Sequence, residues 1–220
     1  SPRQQLLVTS GNEVTSADLT RSTVFVSQTP EIVSVDASGV VRPVASGTGS
    51  VLVTAGEQSA VVPIEVGSIA ATPVDFERDV QPLLTRYSCN AGACHGKQRG
   101  QNGFQLSLLG FDSDFDHNAI AKEARGRRLT RSAPAASLFL QKPAGILPHG
   151  GGLRIARDGD EYRLLVRWID AGAPRRVPDV PQLQRVSIAP TRRSLRPAEQ
   201  QQLVVTAHYS DGTTRDVTAL

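Results

Sequence analysis

The first third of the chain is patterned as short strands. Runs of β-branched and other apolar residues alternate with Gly-, Asp- and Ser-rich turns, at the short spacing typical of all-β folds. The runs lie at 23–26, 32–35, 50–55 and 61–66, and a turn at 36–39 leads into Val40-Val41. This spacing predicts an all-β sandwich over residues 1–67.

The last stretch, residues 177–220, repeats part of this pattern. Leu-Val-Val-Thr at 203–206 and Asp-Val-Thr at 216–218 match the residues at 6–9 and 18–20, and a hairpin turn lies at 210–213. The chain stops about half a module later, and half a sandwich leaves sheet edges and one core face uncovered. We therefore expect a partial second module, which supplies a strand missing from the first module within one chain or between two chains of a dimer.

The sequence of residues 1–67 resembles the group 2 bacterial immunoglobulin-like (Ig-like) modules. The resemblance covers most of the segment but lacks an opening strand, and it implies an Ig-like β-sandwich, with 177–220 as the start of another. The matching stretches are 18–20, 27–30, 33–36 with 39–41, and 45–49.

The middle segment, residues 68–176, has a helical pattern. Two apolar stripes have the i, i+4 spacing of an amphipathic helix. They consist of Phe76, Val80, Leu83 and Leu84 in the first, and Leu164, Leu165, Trp168 and Ile169 in the second. Pro82 suits the first turn of its helix, and Gly172 with Pro174 is a typical helix end.

Composition limits the function classes. The 220 residues are 39% hydrophobic and 20% charged, with a net charge of +3, which is ordinary for a globular protein. The charge is too small to predict nucleic-acid binding, and no apolar run reaches the roughly 18 residues that span a membrane. There is no Met and no export leader at Ser1-Pro2-Arg3, so we expect a processed piece of a larger protein.

The two cysteines of the chain are followed directly by a histidine, in the segment Cys89-Asn90-Ala91-Gly92-Ala93-Cys94-His95. Attachment of haem c needs two thiols that reach the porphyrin vinyl groups and an imidazole immediately after the second thiol. The usual spacing has two residues between the cysteines; the four here are small and flexible enough to bulge away from the ring. The motif predicts one haem c, bound through Cys89 and Cys94, with His95 as the proximal iron ligand.

Two other uses of these residues remain open. Cys89 and Cys94 can form a small disulfide loop. Together with His95 and a further histidine they also offer the ligand types of a zinc site, although the second paired-ligand knuckle is missing.

The middle segment also resembles the planctomycete-type cytochrome c domain, which occurs beside Ig-like modules in large secreted proteins. The resemblance implies a mainly α-helical, class I-like monohaem domain over 68–176. The matching stretches are 76–84, 89–96, 100–104 with 106–108, 122–128, 148–152, and 168–169 with 172.

The resemblance also indicates where a distal ligand would lie. Related domains carry a Met-Pro loop before the final Trp-Ile helix; here Leu147 stands at that place, and His149 follows on a loop of three glycines. We expect His149 to be the distal ligand, and two imidazoles predict a low reduction potential for a cytochrome c. The alternatives are lysine ligation or an open site. We expect His117 to be solvated at a helix start capped by Asp116, and His208 to lie on the outer face of a strand.

Four arginines cluster at 125–131. Arg125, Arg127 and Arg128 can pair with haem propionates, or form with Arg131 a docking face for an acidic redox partner. An equally strong alternative is a solvated helix end whose positive charge suits the helix dipole.

The sequence as a whole predicts single-electron transfer outside the cytoplasm, in the periplasm or the extracellular space, because thioether attachment takes place there. The partner would be another redox protein or another domain of the parent chain. Alternatives are a haem-based sensor or peroxidase-like site with an exchangeable sixth position, and a structural or adhesive module in which the haem is a staple. Nothing predicts hydrolytic chemistry.

Overall fold

The computed structural model describes residues 3–11, 17–68 and 72–220. The chain divides into two compact units: unit 1 comprises Ser1–Ala71 with Pro181–Ala219, and unit 2 comprises Thr72–Val180 with Leu220. Positions 1–2, 12–16 and 69–71 of the predicted segments lie outside the described residues.

The N-terminal part of unit 1 is built from antiparallel strands, as the alternating pattern predicts. The strands are β1 (Gln4–Gln5), β2 (Thr9–Ser10), β3 (Ala17–Asp18), β4 (Val24–Ser27), β5 (Val33–Val35), β6 (Val40–Pro43), β7 (Gly47–Ala55) and β8 (Gln58–Val66). Among the described residues, β4 pairs with β7 and β7 with β8, β6 lies between β1 and β5, and β2 pairs with β3.

Alternate valines of these strands form the core of this part of unit 1. Val51 and Val53 point inward from β7, two positions apart as on one face of a strand. They pack with Val33 of β5 and Val41 of β6, and all four are buried. The period-2 pattern of the sequence therefore identifies the core-facing positions correctly.

The C-terminal part of unit 1 forms a sheet of its own. β10 (Val204–Tyr209) pairs antiparallel with both β9 (Leu183–Ala189) and β11 (Thr214–Asp216). The predicted hairpin turn between β10 and β11 is confirmed, with Gly212 at a φ of 81° that favours glycine.

The sequence repeat between 6–20 and 203–218 corresponds to two turns with the same hydrogen bonds. In the first, the Leu19 N–H donates to the Val8 carbonyl (2.8 Å), the Val8 N–H donates to the Thr20 hydroxyl (3.0 Å), and the Thr20 N–H donates to the Asp18 carboxylate (2.9 Å). These bonds hold an Asp-Leu-Thr turn against the preceding strand.

The second turn has the same bonds. The Val217 N–H donates to the Val205 carbonyl (2.8 Å), the Val205 N–H donates to the Thr218 hydroxyl (2.9 Å), and the Thr218 N–H donates to the Asp216 carboxylate (2.8 Å). The sequence echo between 6–20 and 203–218 is therefore also a structural repeat.

The backbone beside each repeat is hydrogen-bonded to the aspartate of the other repeat. The Gln202 N–H, before the second repeat, donates to the carboxylate of Asp18, and the Gln5 N–H, before the first, donates to the carboxylate of Asp216. Burial raises the pKa of Asp18, but hydrogen bonds from Gln202 and Thr20 more than offset this and lower it below its usual value. The aspartates therefore tie the two sequence-distant parts of unit 1 together.

Asp18→Asn and Asp216→Asn are each expected to lower the free energy of unfolding of unit 1 by about 1–3 kcal/mol, because a charge-assisted bond between the repeats is weakened. Since the folded pKa of Asp18 is lowered, its contribution is present above the unfolded pKa and is lost as the pH falls through the folded value. Urea unfolding at pH 7 measures the loss of stability, and the same measurement repeated at lower pH measures its pH dependence. Glu57→Gln, in the exposed turn between β7 and β8, is the matched control. Equal stability of Asp18→Asn and Glu57→Gln would contradict the proposed tie.

Unit 2 contains only short helices. Asp75 caps a π turn (Phe76–Val80) by accepting the N–H groups of Glu77 and Arg78, both at 3.0 Å. The α-helices of unit 2 are α1 (Gln81–Arg86), α2 (Ser113–Ala121), α3 (Leu138–Gln141) and α4 (Asp160–Asp170).

The prediction of a mainly α-helical, class I-like cytochrome domain is wrong. The strands of the described chain form four antiparallel sheets, and irregular turns separate the short helices of unit 2. Left-handed residues account for several of these breaks; Ala124 and Arg125, for example, have φ of 49° and 58°. An α-helix cannot continue through residues with these φ values. The arginine cluster therefore begins in an irregular turn and not at a helix end.

The apolar stripe of α4 is buried as the spacing predicts. Trp168 is 0% exposed, its indole N–H donates to the Pro174 carbonyl (3.0 Å), and its ring lies 5.6 Å from that of Phe76. The same core contains Leu83 and Leu84 of α1, so it joins the first and last helices of unit 2.

Candidate functional site

The Cys89–His95 segment forms a tight loop directly after α1. Ser88 reverses the chain with a φ of 58°, and the Cys89 N–H donates to the Leu84 carbonyl at the end of the helix (2.8 Å). The loop is closed by the His95 N–H, which donates to the Cys89 carbonyl (2.9 Å). Both cysteines and the histidine are thereby held on one turn of chain.

Two neighbouring residues fix this loop. Asn90 is fully buried, and its side-chain NH2 group donates to the Thr85 hydroxyl (2.9 Å). Its main-chain carbonyl accepts the Leu109 N–H (3.1 Å). A Cβ at Gly96 would overlap the Asn90 carbonyl, so glycine is required there. Gly92, between the cysteines, is exposed.

Both cysteines are free, half-buried thiols on the wall of one cavity. Burial raises the pKa of Cys89 to about 11, the neighbouring Cys94 adds to this, and Arg154 acts in the opposite direction. The Cys89 side chain is therefore a neutral thiol at pH 7.

Alkylation of the metal-free, reduced chain should show this shift. We expect the rate at Cys89 to keep rising with pH through pH 10, because the thiolate is the reacting form. Cys94→Ser should move the inflection to lower pH and Arg154→Gln to higher pH, since the two side chains act in opposite directions. Peptide mass spectrometry of iodoacetamide-labelled protein measures the rate; an inflection below pH 9 in the unmodified chain would contradict the structure.

His95 is oriented by a single hydrogen bond. Its Nδ1 lies 2.8 Å from the carbonyl oxygen of Phe104, which can only accept, so Nδ1 carries the proton. In the neutral ring, Nε2 is then the nitrogen available to a metal ion. Burial lowers the pKa of His95, the Phe104 bond partly opposes this, and the charges of His149, Arg128 and Lys97 lower it further. The lowered pKa favours the neutral form of the ring, which is the form that metal ligation requires.

His149 is held in the same way on the opposite loop. Its Nδ1 lies 3.0 Å from the Gly152 carbonyl, which again leaves Nε2 unprotonated in the neutral ring. A Cβ at Gly151 would come within 2.9 Å of the imidazole, so the glycine makes room for the ring. Arg154 fastens the loop by donating to the Gly151 carbonyl (2.7 Å).

The two imidazoles lie close together and nearly parallel. Their ring centroids are 6.4 Å apart and their planes differ by 10°. An imidazole nitrogen binds a metal ion at about 2.0–2.1 Å, so two rings on opposite sides of one ion have centroids roughly 6 Å apart. Metal-ligating histidines usually bond their other nitrogen to a carbonyl or carboxylate, as both rings do here. The separation of the two rings is therefore the one expected if both imidazoles were to hold a single metal ion, such as a haem iron.

The cavity between these residues has the size and lining of a cofactor site. Its volume is about 720 Å³, within the range of about 300–1,000 Å³ typical of cofactor pockets. Leucines and aromatic residues of α1, α3 and α4 form its apolar wall, and none of the lining residues is acidic. The lining cations are Arg127, Arg128, Lys142 and Arg154. An apolar, flat group with attached carboxylates matches this lining.

Of the three arginines predicted to pair with haem propionates, two line the cavity and one does not. Arg125 is not among the cavity-lining residues, whereas Arg127 and Arg128 are. Lys142 and Arg154 were missed by sequence reasoning, because no arginine or lysine run marks them. The structure places both of them in the cavity lining, together with Leu138 and Ile155.

The other two histidines lie elsewhere. The prediction of a solvated His117 is wrong: it is buried in α2 and its Nε2 donates to the Ala173 carbonyl (2.9 Å). The predicted Asp116 cap is also wrong, because Asp112 caps α2 and the buried Asp116 binds Ser107. His208 is half-buried on β10 and its Nε2 lies 2.8 Å from the Ser187 hydroxyl. Neither His117 nor His208 lines the cavity.

The zinc alternative lacks support from the geometry. Throughout 3–11, 17–68 and 72–220, no three His, Cys, Asp or Glu side chains converge as the ligands of one metal ion. The described part of the chain also contains no helix with the length and apolarity to cross a membrane.

Comparison with known proteins identifies part of unit 1. Residues 21–68 match the family model of the bacterial Ig-like domain, in agreement with the sequence resemblance and the strands observed there. Comparisons with curated proteins and with solved structures gave no match. The function of unit 2 must therefore be argued from its own residues.

Proposed function

We propose that unit 2 binds one haem c and relays single electrons outside the cytoplasm, within a larger multidomain protein. The observation that carries the proposal is the His95–His149 pair, with ring centroids 6.4 Å apart beside two free thiols on one cavity wall. The C-x4-C-H segment and the resemblance to planctomycete-type cytochrome c domains support the same cofactor.

Each group in the cavity has a distinct role in this proposal. Cys89 and Cys94 would hold the haem by thioether bonds, and His95 and His149 would provide its axial nitrogens. A haem c iron with two imidazole ligands takes up and releases one electron at a time, which is the chemistry of a relay. The apolar walls would exclude water from the cofactor, and the exposed side chains of Arg127 and Arg154 would pair with its carboxylates.

The cellular location and the partner follow from the same proposal. Thioether attachment takes place outside the cytoplasm, and the bacterial Ig-like domain at 21–68 is compatible with that location. The electron partner would be a redox protein or another domain of the parent chain. Pairing of two chains through Ig-like strands is a further proposal, which sedimentation of the purified protein tests.

Redox spectroscopy tests the function. The chain is produced in a host with haem-c maturation machinery, and its spectrum is recorded oxidised and after dithionite reduction. We expect a reversible low-spin spectrum and a midpoint potential below that of cytochromes with His and Met ligands, because a second imidazole favours ferric iron. A haem that is bound but cannot be reversibly reduced would overturn the electron-transfer role.

A further inference from the structure

The Arg128 guanidinium is already hydrogen-bonded within unit 2, as a residue that only paired with a haem propionate would not have to be. Its Nη1 donates to the Ala119 carbonyl (2.6 Å) and its Nη2 to the Gly103 carbonyl (3.1 Å). The guanidinium carbon lies 4.4 Å from the centre of the Phe104 ring, and the side chain is only 11% exposed. The guanidinium is therefore tied to backbone oxygens and one aromatic face, with Glu123 at 3.8 Å as its carboxylate partner.

Arg128 covers the ring of Phe104, and the main-chain carbonyl of Phe104 orients His95. The Phe104 carbonyl accepts the His95 Nδ1–H at 2.8 Å, and the Phe104 ring lies 4.5 Å from the imidazole. The same carbonyl accepts the Gln101 N–H (3.0 Å), and a Cβ at Gly100 would overlap it. The position of this one oxygen is therefore closely fixed by its surroundings.

We propose that Arg128 is a positioning residue for His95: by clamping Gly103 and Phe104, it holds the carbonyl that keeps the imidazole in its Nδ1–H form. This inference rests on the proposed role of His95 as an iron ligand. The planar fork of arginine reaches two carbonyls at once and covers an aromatic face, and lysine cannot do both. Loss of the fork leaves the Gly103 and Ala119 carbonyls without this donor and frees the segment that carries the Phe104 oxygen.

The clamp assigns different roles to the cavity-lining cations. Arg128 is already bonded inside the wall, whereas the side chains of Arg127 and Arg154 are exposed at the cavity. The two exposed arginines are therefore better placed than Arg128 to meet an anionic group of a ligand.

NMR of the haem-free full-length chain tests the clamp without depending on haem attachment. Two-bond ¹H–¹⁵N correlation spectra report which nitrogen of neutral His95 carries the proton. We expect one Nδ1–H tautomer in the unmodified chain, and a mixture of tautomers in Arg128→Lys and Arg128→Gln. Arg131→Gln, which removes an exposed charge from the same arginine cluster, should leave the single tautomer.

A folded Arg128→Lys or Arg128→Gln that keeps a pure Nδ1–H tautomer would overturn the inference. If Arg128→Gln fails to fold, Arg128→Lys, which keeps the charge, decides. In the haem-loaded chain, Arg128→Lys should also broaden the electron paramagnetic resonance signal of ferric iron, since the proximal ring is no longer held at one angle. Absence of haem from the unmodified chain would defeat the proposed function and leave the tautomer result valid.

Discussion

Replacing His149 with alanine in the haem-bound chain that we propose is expected to change a low-spin iron into one with an exchangeable coordination position. Among the described residues, His149 is the only histidine besides His95 on the cavity wall, and its ring lies 6.4 Å from that of His95. An internal ligand competes at high effective concentration, so its removal should strengthen the binding of added imidazole or cyanide by roughly 100-fold or more. Visible spectra with increasing cyanide measure this change.

Two controls make the His149 experiment specific. His208→Ala removes an imidazole that lies in unit 1, and it should leave the spectrum and cyanide binding unchanged. Gly151→Ala keeps the imidazole but places a Cβ within 2.9 Å of it, so it should weaken the axial bond part of the way. A spectrum that stays low-spin in His149→Ala would exclude His149 as the distal ligand.

Trp168→Ala is expected to destabilise unit 2 by about 3–5 kcal/mol, because a fully buried indole is lost from the core. The substitution also leaves the Pro174 carbonyl without the indole N–H at 3.0 Å, which adds to the loss. Thermal unfolding of the full chain, followed in unit 2 by near-ultraviolet circular dichroism, measures the effect.

Phe111→Ala is the matched control for the core prediction. Its ring is 94% exposed, so its removal should change the stability by less than about 0.5 kcal/mol. Equal effects of the two substitutions would show that the first and last helices of unit 2 do not share the core described above.

The parts of the fold that the sequence predicts are those with a regular period. The alternation on β7 identifies Val51 and Val53 as core residues, and the spacing on α4 identifies Trp168 and Ile169. In both elements, backbone geometry alone decides which side chains face inward. Such positions can be read without knowledge of the rest of the molecule.

The irregular middle of unit 2 could not be predicted in this way. Ser88, Leu109 and Ala124 have positive φ although none is glycine, so composition gives no warning of the breaks they make. The buried state of His117 also depends on a distant partner, the Ala173 carbonyl, and not on its own helix. Local pattern therefore overestimated both the helix content and the solvation of this segment.

The candidate site also has parts that the sequence predicts and parts that it does not. The Cys89–His95 segment is contiguous and is recognised from its spacing alone, and the glycines after His149 indicate a loop. The approach of His149 to His95, and of Arg128 to Gly103 and Phe104, depends on chain packing across more than 20 residues of sequence. These contacts leave no periodic signal, so only the structure shows them.

The most direct test of the central claim is the intact mass of the chain under denaturing conditions, after production in a host that matures haem c. The account predicts a mass increased by that of one haem, which persists through acid-acetone extraction and gives a c-type pyridine haemochrome. The double variant Cys89→Ala/Cys94→Ala should show the unmodified chain mass and release any haem on extraction. An unmodified mass for the native chain in such a host would contradict covalent attachment.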